Sequence, residues 1–339
     1  MKKVTLQEIA NSLGISRTTV WKVFSGHEGV SDSLRTKVIA KAQELGYAIP
    51  EDFQYPQSAE ETTPVNIAVA VCRPETSLFW MTIIHQIAKV FSTHNVNLVY
   101  TYLPTSADKT YFLPPTLTNG NVHGIIVLNV YNERLLRLLA ETQIPKVFLD
   151  TSSLVAPDEL NGDLLLMESR TSVRRITCHL LEQGRTLPGF IGDISYAQSN
   201  RERYEGFCQA LADAGKKVDS SLCLTPLGID TYREEIDTFL SSLSRMPDAF
   251  VCASDYVACI LMQLLEKRGL RVPEDVAVSG FDNNTEDLLA EHLTTVQVFN
   301  EELGARLALQ ILYRIKYPNT PHEITYLGTN VLYRDSTGD

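Results

Sequence analysis

Arginine, aspartate and aromatic side chains fall at two kinds of place where they could do recognition chemistry, and no nucleophile–base pair accompanies them. The first is a polar run near the amino terminus, Ser16-Arg17-Thr18-Thr19, followed by Trp21 and Lys22. An arginine fork can meet both acceptors on a guanine edge, and hydroxyls and ammonium groups suit phosphates. The second is the ends of apolar runs through the body: Arg73–Trp80, Asp150, Asp193–Arg203, Ser254–Asp255 and Phe281–Asp282. Aspartate accepts from two neighbouring hydroxyls, arginine donates to two, and Phe79 or Trp80 offers a flat face to a sugar's C–H surface. There is no P-loop, G-x-G-x-x-G or G-x-S-x-G, so no catalysis is expected. Asp282-Asn283-Asn284 with Glu286 lacks the glycine that a calcium loop requires. The six cysteines and seven histidines are dispersed, without C-x-x-C or H-E-x-x-H spacing, so neither disulfide, metal nor cofactor is expected.

Helices must hold the first group. Thr5 and Glu8 form a capping box ahead of an apolar stripe, Leu6, Ile9, Ala10 and Leu13, which Gly14 ends. Ser16 caps a second helix with Val20 and Val23 inward. Ser31 caps a third with Leu34, Val38, Ala42 and Leu45 as its stripe and Gly46 as its stop. Two short helices about a glycine turn, with a third in support, predict a helix-turn-helix. In that geometry Arg17, Thr18 and Lys22 face base edges, and Thr19 and Ser31 reach phosphates. Trp21 either stacks on a sugar–phosphate edge or covers the head's core. The competing reading, a three-helix interaction module with solvated charges, fits the glycine and cap spacing less well.

Charge follows the same division. The 339 residues carry a net charge of −11, with 44% hydrophobic and 21% charged residues, an ordinary globular balance. Residues 1–50 hold seven Lys/Arg against four Asp/Glu, +3, which leaves −14 on the remainder. A basic head on an acidic body suits contact with phosphates through the head alone. No run is long enough to span a bilayer and no signal-peptide core follows Lys2 and Lys3, so a cytoplasmic protein without membrane contact is expected.

The second group needs parallel sheets. Beyond Pro64, β-rich runs at 65–71, 96–102, 124–130, 146–150, 164–167, 189–193, 249–254 and 275–282 alternate with amphipathic stretches. Continuous apolar strands separated by helices predict parallel sheets covered on both faces, with ligands beyond the carboxyl ends of the strands.

Residues 4–47 contain V-T-L-x-x-I-A-x-x-x-G-I-S-x-x-T-V, then V-S, R, V and E-L-G-Y. This segment resembles the head of the lactose/galactose repressor (LacI/GalR) family. SNRERYEGF (199–207), LRVPEDVAVSGFDN (270–283), HLTTVQ (292–297) and YRDST (333–337) resemble phrases of that family's periplasmic-binding-protein-like core. The resemblance implies an all-α helix-turn-helix head (1–49), a linker (50–64) and an α/β core (65–339) of two lobes with parallel sheets. Lobe 1 would be 65–163 with 295–322, and lobe 2 would be 164–294 with 323–336. It implies a homodimeric transcription regulator, most simply a repressor, that binds a double-stranded DNA operator and answers to a small carbohydrate effector. DNA contacts are expected among Thr5, Ser16, Arg17, Thr18, Thr19, Trp21, Lys22, Ser31 and Tyr47. Effector contacts are expected at Phe79, Trp80, Asp150, Arg203, Ser254, Asp255 and Asp282.

Several positions depart from the family's habit. Trp21 replaces a usual serine and Lys22 a usual arginine, which puts base choice there in doubt. Ser254 stands for asparagine, Met167-Glu168 for a frequent Asp/Asn pair, and Val298 for a polar residue. Each pocket residue also has a packing alternative: Arg203 as a structural helix residue, Asp282 as a turn cap, Phe79 and Trp80 as core. The linker, IPEDFQYPQSAEETTP, lacks the hinge helix that seats a leucine in the minor groove. Its acids and prolines oppose such a wedge. Little operator bending is therefore expected, and a circular-permutation gel assay showing a strong bend would contradict it.

Overall fold

The computed structural model describes residues 4–25, 27, 29–47, 64–72, 78–228, 231–284 and 288–339. Apart from Pro64, the expected linker lies outside the described residues, as do Arg73 and Glu286. The chain forms two compact units, Met1–Thr63 and Pro64–Asp339.

In the head, α1 (Leu6–Leu13), α2 (Arg17–Phe24) and α3 (Asp32–Glu44) enclose Ile9, Ala10, Val20, Val23, Val38, Ile39 and Ala42. Thr5 and Glu8 complete the capping box, and Gly14 takes φ +65° to turn the chain between α1 and α2. A side chain disfavours that left-handed conformation, so glycine suits the position. Leu45, expected in the buried stripe, is instead exposed, because it caps α3 where the last turn leaves the core.

The larger unit has two sheets. The first is six-stranded and parallel, in the order β11 (Ile324–Leu327), β5 (Asp163–Met167), β4 (Lys146–Leu149), β3 (Gly124–Leu128), β1 (Val65–Val71), β2 (Val96–Tyr102). The second is four-stranded and parallel, in the order β7 (Cys223–Leu224), β6 (Pro188–Ile191), β8 (Ala249–Cys252), β9 (Ala277–Ser279). Helices α4 (Leu78–Phe91), α5 (Glu133–Glu141) and α10 (Asn300–Lys316) belong to the first lobe. Helices α6 (Arg170–Glu182), α7 (Gln198–Asp213), α8 (Tyr232–Ser242) and α9 (Asp255–Lys267) belong to the second. Strands β3, β4, β5 and β8 are buried along their whole length because both faces are covered, and apart from Lys146 and Asp163 at the starts of β4 and β5 their residues are apolar.

The lobe boundaries differ from expectation. The strand 163–167 pairs with β4, and 324–327 pairs with β5, so both lie in the first sheet and not the second. An apolar run signals burial but not which sheet supplies its hydrogen bonds, so the expected division falls one strand early. The chain crosses between lobes after Met167, after the short strand β10 (Thr295–Gln297) and before its antiparallel partner β12 (Asn330–Leu332). At the crossings Thr329 Oγ1 donates to the Glu168 carbonyl at 2.8 Å. The Glu168 carboxylate accepts from the first-turn amides of Thr171 and Ser172 at the start of α6.

One buried charge cluster ties α10 to the sheet. Asp163, fully buried, accepts from Arg314 Nη2 at 2.5 Å, Gln310 Nε2 at 2.7 Å and the Glu323 amide at 2.9 Å. Removing one partner leaves the other charge desolvated and unpaired. Asp163→Ala is therefore expected to destabilise the core by about 3–5 kcal/mol in urea denaturation; a loss under about 1 kcal/mol would show that water reaches the pair.

Candidate functional site

In the head, one face of α2 stays clear of the core. Ser16 accepts from the Thr19 amide at 3.0 Å and pairs its hydroxyl with that of Thr19 at 2.8 Å, which fixes the helix start. Val20 and Val23 then point inward, so Arg17, Thr18 and Trp21 are exposed and Lys22 half-buried on the opposite face. Positions i, i+1, i+4 and i+5 adjoin on a helix, so these four side chains form one patch. Trp21 is 46% exposed, with its ring 4.8 Å from that of His27. It thus covers little of the core. Tyr47 is half-buried and packs on Phe24 at 5.4 Å, which gives it a structural task. Thr5 and Ser31 serve as helix caps. Arg35, not foreseen as a site residue, donates to the carbonyls of Val23 and His27 and braces the end of α2.

In the core, a cavity of about 390 Å³ opens at the carboxyl ends of both sheets. Six of the seven expected residues line it: Phe79, Trp80, Asp150, Arg203, Ser254 and Asp282. Asp255 does not. It is buried behind the cavity, accepting from Thr295 Oγ1 at 2.5 Å and the Asn284 amide at 2.7 Å. A first-turn residue next to a pocket cap points inward as readily as outward, and sequence spacing alone does not choose. Ser254 caps α9 through the Val257 amide.

Backbone shape aims the polar groups. Asn129 follows β3 at φ 54°, Asp150 follows β4 at φ 62°, and Asp282 lies just past β9 at φ 109°. Residues with side chains rarely adopt such angles, and short polar ones tolerate them best. Strand runs that end on Asn or Asp carry that signal, and an apolar run extended to Val130 hides it at Asn129.

Arg203, on α7, is 4% exposed. Its guanidinium lies 3.6 Å over the Phe281 ring, donates to the Ala253 carbonyl, and stands 3.5 Å from Asp282. Asp150, from the first lobe, accepts from Ser199 Oγ of the second at 2.6 Å. Beside it the Thr151 carbonyl accepts from the Gln198 amide at 2.7 Å, and Ser153 Oγ donates to the carbonyls of Ile194 and Ser195. Tyr131 and Tyr196 meet across the same junction, ring centres 4.4 Å apart. Burial raises the Asp150 carboxyl above its ordinary value, against the pull of the Ser199 hydroxyl. Burial likewise lifts Asp282 to about 6, with Arg203 opposing. The tyrosines at 131, 196, 232 and 256 were not foreseen, since nothing in their spacing marks them as a group.

Residues 5–50 match the model of bacterial regulatory proteins of the lacI family, and residues 177–337 match a periplasmic binding protein-like domain. The chain is 25% identical over 340 residues to the HTH-type transcriptional repressor PurR of Photobacterium profundum, covering 99% of each. Among solved structures, a transcriptional regulator CelR–cellobiose complex superposes with a TM-score of 0.71 at 25% identity, covering 98% of this chain and 100% of that one. The lac repressor dimer bound to operator and the anti-inducer ONPF gives 0.68 at 22% identity, covering 99% of each. A helix-turn-helix head on a two-lobed α/β core defines a ligand-responsive DNA-binding protein. The chain belongs to the LacI family of bacterial transcriptional regulators.

Asp255 gives the core a pH dependence. Burial first, and then the charge of Asp282, raise its carboxyl from 3.8 to about 7. Between those values the folded core holds a proton that the unfolded chain has released, so stability falls as pH rises through that window. An asparagine can donate to Thr295 and still accept from Asn284. Asp255→Asn is expected to flatten the fall of the urea midpoint between pH 4 and 7, to a residue of slope from Asp282; an unchanged slope would show that Asp255 does not titrate there.

Proposed function

We propose that the chain represses transcription as a homodimer, and that a neutral saccharide held between the core lobes sets its affinity for the operator. The observation that carries the reading is the arrangement around Arg203. A guanidinium pinned on Phe281 and flanked by Asp282 shares one cavity with Asp150 of the opposite lobe. These are donors and acceptors for vicinal hydroxyls, converging from both lobes. The lining carries three aspartates, Asp150, Asp193 and Asp282, against one arginine. That balance opposes a phosphosugar and suits an uncharged ligand. Binding without catalysis is the role proposed, in the cytoplasm where the DNA lies.

For the head, the patch of Arg17, Thr18, Trp21 and Lys22 on α2 supports docking in the major groove. A dimer would read half-sites about 34–36 Å apart. Strand β2 is an edge of the first sheet, and it carries exposed Tyr100 and Tyr102. Exposed Leu78 and Met81 lie on α4 of the same lobe. This exposed, apolar sheet edge is the proposed dimer surface. Ligand between the lobes would change their angle, and so the separation of two heads. Coupling of this kind shifts affinity by about 5–150-fold.

The test is a gel shift on the DNA upstream of the chain's own gene, with and without saccharides, and light scattering for the dimer mass. A saccharide is expected to weaken the complex. Arg203→Ala and Asp282→Asn should lose that response while DNA binding without ligand stays near the wild-type value. Normal saccharide response in both variants would remove the cavity from the mechanism, and a monomer mass would remove the dimer.

A further inference from the structure

The residues lining the cavity divide by chemistry and by exposure. Its charged and amide groups belong to buried or half-buried residues: Arg203 is 4% and Asp150 2% exposed. The wall formed by Leu227, Tyr232, Tyr256 and Val257 has no charge. Leu227 and Val257 are buried behind it, while Tyr256 is 61% exposed and Tyr232 partly exposed. The two tyrosine rings stand 5.7 Å apart at 61°, an edge-to-face corner. They are placed by two different elements, Tyr232 as the first residue of α8 and Tyr256 as the second of α9. The first lobe brings a second edge-to-face pair, Phe79 and Trp80, to the same cavity, with ring centres 5.0 Å apart.

Tyr232 packs one side against the hydrophobic core that holds Val257 and Leu227, whereas Tyr256 stands outside that core. A large aromatic ring held out at a cavity mouth leaves apolar surface in water, which a ligand can cover. One pyranose engaging Arg203, Asp282 and Asp150 would lie at the polar end and leave this corner bare. A second ring, linked to the first, would place its C–H face on the tyrosines.

We infer that Tyr232 and Tyr256 form an outer sugar subsite, so that the effector is an oligosaccharide of at least two units and not a monosaccharide. The inference rests on the saccharide reading above and narrows it. The polar end supplies orientation through hydrogen bonds, and the tyrosine corner selects length through stacking. A flat apolar face could also belong to an aryl group on a single sugar. That source shares the stacking chemistry but has no ring hydroxyls, and the experiment separates the two.

Calorimetric titration of the full-length protein would compare glucose, methyl and phenyl glucosides, maltose and cellobiose, with galactose, lactose and melibiose as a second series. One disaccharide is expected to bind about tenfold or more tighter than its monosaccharide and methyl glycoside. Tyr256→Ala, an exposed position that should fold normally, is expected to remove most of that advantage and to change monosaccharide affinity by less than about twofold. Tyr256→Phe should retain it. Equal affinity for mono- and disaccharides, or equal losses for both in Tyr256→Ala, would overturn the outer subsite while leaving the saccharide reading intact. Gain with the phenyl glucoside alone would reassign the corner to an aryl group and overturn the second sugar. Absence of binding by every sugar would overturn both the subsite and the reading on which it rests.

Discussion

A guanidinium nearly closed off from water is costly unless its surroundings replace what hydration supplied, and Arg203 is such a group. The Phe281 ring lies against one face, the Ala253 carbonyl accepts a hydrogen bond, and Asp282 offers a countercharge. All three sit at the carboxyl ends of β8 and β9, where parallel strands leave their last groups unpaired by the ladder. Arg203 arrives from α7, and the packing of that helix depends on a residue one turn later. A side chain at Gly206 would meet the Arg170 carbonyl of α6 at 2.2 Å. The glycine thus sets how closely α7 lies on α6, and with it the depth to which the arginine enters the cleft.

The cleft is also a joint. The lobes share three chain crossings, and across the cleft Asp150, Thr151 and Ser153 bond to Ser199, Gln198, Ile194 and Ser195. Tyr326 of β11 adds a bond to Glu202 at 2.7 Å, one residue before Arg203. The residues that hold the lobes together are therefore neighbours of those offered to a ligand, and Asp150 does both. A hydroxyl that competes with Ser199 for Asp150 acts on the joint as well as on the pocket. Such differential contact is what lets ligand binding bias one lobe arrangement over another.

Much of this was legible in the sequence because it is local. Capping by Thr5, Ser16 and Ser31, the turn at Gly14 and the inward Val20 and Val23 are fixed by neighbours within four residues. The strand-end rule brought six expected residues to one cavity without any pairing information. What failed was long-range. Strand 163–167 is equally apolar in either sheet, and only its partners β4 and β11 decide its lobe. Asp255 and Ser254 are adjacent, and Thr295, forty residues away, draws the carboxylate inward. The tyrosines gave no signal at all, since Tyr131, Tyr196, Tyr232 and Tyr256 come from four separate segments that only the folded topology brings together.

Burial raises three carboxyls in and behind the cleft, Asp150, Asp282 and Asp255, and it does so to a purpose opposite to the needs of folding. The folded core prefers them protonated, so its stability declines as they ionise. A polyhydroxyl ligand prefers the charged form, because hydroxyl donors strengthen their bonds to a carboxylate and draw its pKa down. A hydroxyl donor to Asp282, whose carboxyl burial lifts to about 6, would therefore favour its ionised form and bind better as pH rises through that value. Burial thus makes ionisation of these carboxyls costly, and hydroxyl donors from a ligand would offset that cost. The same carboxylates would repel anions, so one arrangement of burial and charge supports both the uncharged ligand proposed above and its contact with the two lobes.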